Sequence, residues 1–160
     1  MKTILAPIDF SAVSDAVVKE AAALARAHRG RVVLLSIIQP PAVFADYPPL
    51  MENIAEITAA GERNSTRQLE KIEATLVADF VPAESVQLVG SPIQLIVEQA
   101  EKLGAEYIVM GSHGHTALYD LLVGSTTHGV LLRAKCPVVI VPAGKETKGP
   151  SQGKARHALV

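Results

Sequence analysis

Residues 105–127 read AEYIVMGSHGHTALYDLLVGSTT, and the order of residue types along this stretch sets the architecture. Ala105 to Gly111 is a short apolar run with β-branched and aromatic members, the composition of a buried strand. Gly111 and Gly114 then punctuate a polar turn, and Gly124 precedes the hydroxyl residues Ser125, Thr126 and Thr127 at the start of a helix-compatible segment. A strand runs through a glycine turn into a helix.

The same unit recurs on both sides. Upstream, TILAPID is an apolar strand ending in Pro7 and Asp9, followed by a segment with Val13, Val17, Ala21 and Leu24 at helical spacing. Gly30 stops that helix, and RVVLLSII is an uninterrupted apolar strand. Residues 39–50, QPPAVFADYPPL, hold four prolines and read as a surface loop or lid, with Phe44 and Tyr47 as its aromatic members. A helix is expected from about Met51 to Val77, with Gly61 as a break or bend. ESVQLVG gives a third strand. Ser91 is placed to cap the next helix, with Pro92 in its first turn, Ile93, Ile96, Val97, Ala100 and Leu103 on one face, and Gly104 at its end. Downstream of the quoted stretch, STTHGVLLRAK reads as a helix and PVVIVP as a fifth strand.

Five strands alternating with helical connections define an open α/β domain with a largely parallel sheet, because parallel strands need crossovers. Ligands of such sheets bind beyond the carboxyl ends of the strands where the strand order reverses. The site is therefore expected to draw on Asp9, Ile37 and the segment after Met110.

Composition narrows the class. The chain has 160 residues, 49% of them hydrophobic, which fits a single domain spanning residues 1–142 and a glycine- and lysine-rich tail, 143–160, expected to be mobile. With 15 basic and 16 acidic side chains the formal charge is −1, so no charge excess points to a nucleic-acid partner. No apolar run is long enough to insert in a bilayer. Cys136 is the single cysteine, which makes an internal disulfide impossible and a cytoplasmic location the expectation.

The glycine segment offers two readings. Exposed backbone N–H groups at a helix start, with the hydroxyls of Ser125, Thr126 and Thr127, can cradle phosphate oxygens without a lysine. Alternatively the glycines only turn the chain and Ser125 only caps the helix. Neither a G-x4-G-K-[ST] pattern nor a G-x-G-x-x-G after the first strand is present, so neither a P-loop nor a Rossmann fingerprint is supported.

The joint spacing Gly111-x2-Gly114-x9-Gly124-Ser125, set between YIVMG and CPVVIVP and preceded by ILAPIDFS, resembles the ATP-binding branch of the universal stress protein family over residues 1–142. The resemblance implies strand order 3-2-1-4-5 with helices on both faces and a nucleotide at the first/fourth strand switch point. It further implies that Ala6, Pro7 and Asp9 lie against the adenosine and that Ile37 offers backbone bonds to the adenine edge. Met110 would pack nearby. Gly111, His113, Gly114 and His115 would hold ribose and phosphate, and Gly124, Ser125, Thr126 and Thr127 the phosphates. ATP, with Mg2+ shielding its phosphates, is the implied ligand. His115 stands where members often carry a stronger cation, which would make a phosphate contact there pH-sensitive. Ser36 stands where many have histidine. The resemblance also implies a homodimer paired through the final strand, acting as a regulatory module in stress response on a protein partner that the sequence does not identify.

Other chemistries are weaker. His113, His115 and His128 have no acid or cysteine at a recognisable ligand spacing, so no metal site is assigned. Asp9 with Lys135 superficially resembles a phosphoacceptor arrangement but lacks the acidic cluster that chemistry needs. Asp120 is a general-base candidate for a slow ATPase or nucleotide hydrolase, and Ser112, Ser125, Thr126 and Thr127 are candidate autophosphorylation acceptors.

Overall fold

The apolar runs become five strands: β1 (Thr3–Pro7), β2 (Arg31–Ile38), β3 (Ala83–Val89), β4 (Ala105–Gly111) and β5 (Val138–Val141). The computed structural model describes residues 1–39, 48–112 and 123–143. Between the strands lie α1 (Ser14–His28), α2 (Pro48–Ala78), α3 (Pro92–Leu103) and α4 (Ser125–Leu131). The sheet order is β3-β2-β1-β4-β5 and every pairing is parallel.

Strand alternation divides the core into two layers. In β2, Val32 and Leu34 point to one face with Val17, Ala21, Leu69 and Leu76 of α1 and α2, while Val33 and Leu35 point to the other with Ile96, Ala100 and Val130 of α3 and α4. Burial on both faces is why these strands read as unbroken apolar runs instead of alternating ones. Each fully buried Leu or Ile contributes roughly 1.5–3 kcal/mol.

Several boundaries differ from expectation for identifiable reasons. Helix α2 starts at Pro48, inside the stretch read as loop, because a proline in a first turn lacks only an N–H that would be unpaired anyway. It runs through Gly61 without a break over 31 residues. A single glycine costs about 1 kcal/mol relative to alanine, and the packing of Leu69, Ile72 and Leu76 on the sheet outweighs that. Helix α4 stops at Leu131 instead of continuing to Lys135, and the N–H groups of Arg133 and Ala134 both turn back to the Val130 carbonyl. Ser91 occupies the N-cap position of α3, but its hydroxyl makes no capping bond. The loop residues 40–47, including Phe44, and the tail beyond Ala143 lie outside the described residues.

Three helices end at left-handed residues, α2 among them at Phe80 (φ 60°). Gly104 (φ 56°) closes α3 as expected, whereas α1 closes on Arg29 (φ 52°), whose N–H reaches Ala25 and Arg26 carbonyls. An L-residue pays a steric cost there that glycine does not. Arg29→Gly is therefore expected to stabilise the protein by about 0.5–1 kcal/mol, part of the relief being lost to the freer unfolded chain. Calorimetry should show Tm rising by roughly 1–4 °C; an unchanged or lower Tm would count against relief of strain.

Candidate functional site

The crevice follows from connectivity. From β1 the chain turns to α1 on one face of the sheet, and α4 lies on the other face behind β4, so the carboxyl ends of these adjacent strands open between diverging elements. A cleft of about 310 Å³ occupies this position.

Its floor is the strand ends: Pro7, Ile8 and Asp9 after β1, Ile37 and Gln39 at β2, Met110 and Gly111 of β4. One wall is α1 with Val13, Ser14 and Val17, and another is α3 with Pro92 and Ile96. Gly124 through Thr127 close the end where α4 begins. Apolar walls with a few convergent polar groups are the usual make-up of a small-molecule site.

The polar end is held in place by the backbone. Gly124 N–H donates to the Ser112 carbonyl at 2.7 Å, and Ser112 N–H donates to the Val141 carbonyl at 2.8 Å. The Thr127 hydroxyl, buried, donates to the Gly111 carbonyl at 2.8 Å. The start of α4 is thus pinned to the end of β4. Gly124 is the N-cap residue and supplies no side-chain cap, so the first-turn amides of Ser125, Thr126 and Thr127 have no side-chain cap acceptor from it.

The one acidic side chain among the described lining residues is Asp9. Its Oδ1 accepts the Ser11 N–H at 3.0 Å and the Ser14 hydroxyl at 3.3 Å. Phe10, between them, is left-handed with φ 59°.

Of the residues named from sequence, Pro7, Asp9, Ile37, Met110, Gly111, Gly124, Ser125, Thr126 and Thr127 come together here. Ala6 does not line the cleft; it is fully buried on the α1/α2 face, one pleat step from Pro7. His113, Gly114, His115 and Asp120 lie outside the described residues. Ser36 turns away from the cleft and accepts a 2.8 Å bond from the buried Ser65 hydroxyl, pinning α2 to β2. Ile8, Val13, Ser14, Val17, Gln39, Pro92 and Ile96 were not foreseen as lining; the helical ones among them carry the same apolar spacing as the core.

Other candidates fall elsewhere. His128 is exposed, and no group of three or more His, Cys, Asp or Glu that could hold a metal occurs among the described residues. Lys135 pairs with Glu101 at 3.0 Å on the surface. Cys136 is half-buried against the α3/α4 layer, where burial pushes its thiol pKa up and makes it a poorer nucleophile. No helix among the described residues is long and apolar enough to cross a membrane.

Fold and cleft together define a parallel α/β sheet with a cleft at its switch point. Residues 1–142 match the universal stress protein family, and the chain belongs to it. It is 32% identical over 146 residues to universal stress protein MJ0531 of Methanocaldococcus jannaschii, covering 91% of this chain and 84% of that one. To universal stress protein MJ0577 of the same organism it is 29% identical over 152 residues, 88% and 94% of the two chains. The solved MJ0577 structure superposes with a TM-score of 0.81 over 90% of this chain and 97% of that one. The universal stress protein from Archaeoglobus fulgidus solved in complex with dAMP shares the fold at 22% identity, with a TM-score of 0.60 over 88% and 97% of the chains.

Proposed function

We propose that this chain binds ATP in the cleft between β1 and β4 and acts as a nucleotide-dependent regulatory module. The observation that carries the reading is the joint placement of apolar walls, the Asp9 acceptor and the pinned start of α4 around one crevice at the switch point. The Asp9 end takes the nucleoside and the α4 end the phosphates, since a helix start favours anions and a carboxylate repels them. The similarity to a family member solved with dAMP supports a nucleotide as occupant. Magnesium fits as the cation carried on the phosphates, because Asp9 is the only described carboxylate in the cleft and offers no cage. The lone Cys136 supports a cytoplasmic location. β5, at the sheet edge, is the surface through which two copies would pair.

Binding is favoured over turnover because no lysine or arginine lines the cleft among the described residues, and phosphoryl transfer depends on such charge stabilisation. Calorimetric titration with ATP, followed by a product time course at saturation, tests both halves. Saturable binding with turnover far below ~1 s⁻¹ is expected. No heat of binding up to millimolar ATP would refute the binding reading, and faster turnover would make the protein a hydrolase.

A further inference from the structure

The turn joining β1 to α1 is shaped around one carboxylate oxygen. Ser11 N–H and the Ser14 hydroxyl both donate to Oδ1 of Asp9, at 3.0 and 3.3 Å. They converge because Phe10 takes the left-handed conformation, φ 59°, which folds the chain back toward Asp9. Ser14 is the first residue of α1 and 5% exposed, and α1 begins without any side-chain cap. A serine at a helix start ordinarily serves the backbone; this one serves a side chain that faces the cleft.

The consequence is orientational. An aspartate has two rotatable side-chain bonds, and an oxygen held by two donors from different directions fixes both, which sets where the carboxylate points. An ionised carboxylate only accepts hydrogen bonds, so the ligand group it meets must be a donor: a sugar hydroxyl or an exocyclic amine, and not a phosphate. We infer that Ser14 is a positioning residue, holding Asp9 in register for a donor group on the nucleoside part of the ligand. The inference rests on the nucleotide reading of the cleft. It adds a residue that itself need not touch the nucleotide.

A double-mutant cycle read by calorimetric ATP titration tests it, using the full chain with Ser14→Ala, Asp9→Ala and both together. Ser14→Ala is expected to weaken ATP binding about five- to tenfold when Asp9 is present and to change nothing when Asp9 is already alanine. Ser14→Thr, which keeps the hydroxyl, is expected to recover most of the loss. Equal weakening with and without Asp9 would mean that Ser14 only steadies the start of α1, and would overturn the inference. Wild-type affinity in Ser14→Ala would overturn it as well. If the unmutated protein binds no ATP, the nucleotide reading itself fails, an outcome separable from both.

Discussion

Gly129→Val is expected to destabilise the protein by about 1–3 kcal/mol and to weaken ATP binding by more than about tenfold. Gly129 lies in α4 where that helix packs on α3, and a Cβ there would stand 2.4 Å from Ile93 Cδ1, 3.0 Å from Cγ1 and 3.2 Å from Cγ2. Alanine would be tolerated if the terminal methyl of Ile93 rotates aside. Valine adds branches that meet the inner carbons, so α4 must move. Its first turn is the end of the cleft, fastened to β4 through Gly124 and Thr127, and displacement of the helix disturbs both bonds. Chemical denaturation and calorimetric titration of the same variant check the two effects together. Gly129→Val with Ile93→Ala should recover part of each, since the smaller side chain gives the valine room. Loss of stability without loss of affinity would separate α4 packing from the cleft.

The second large effect concerns Asp9. Asp9→Ala is expected to lower ATP affinity about 10- to 100-fold, the scale of removing one hydrogen bond to a charged group. Its cost to stability should be smaller, about 1 kcal/mol, because Asp9 is an exposed side chain and its bonds from Ser11 and Ser14 lie within a single turn. Titration with ATP against a thermal melt of the same sample distinguishes the two. Unchanged affinity would show that the nucleoside does not meet the β1 end of the cleft.

Sequence showed the fold well because its signals are physical requirements of a two-layered parallel sheet. Val32 to Leu35 had to be apolar without interruption, since alternate residues face different helix layers. The floor of the cleft was legible for a related reason: Pro7, Ile37 and Met110 lie at or near strand ends, where a parallel sheet puts its ligands. The walls were not legible. Ile96 and Val17 follow the same periodicity whether they fill the core or overhang a crevice, and Ser14 looks like any serine at a helix start. Ala6 shows the opposite limit, since neighbours on a strand point to different places and a one-residue step separates core from cleft. Gly61 misled because a local preference of about 1 kcal/mol yields to the packing of Leu69, Ile72 and Leu76, and Pro48 because a proline in a first turn gives up no hydrogen bond.

Residue-resolved NMR of the 15N-labelled chain during an ATP titration tests the central claim most directly. Binding between β1 and β4 predicts saturable shifts concentrated at Ile8 and Asp9, at Ile37 to Gln39, at Met110 and Gly111, and at Gly124 to Thr127. Shifts clustered at the amino ends of the strands, around Gly30 and Val81, or no saturable shift up to millimolar ATP, would contradict it.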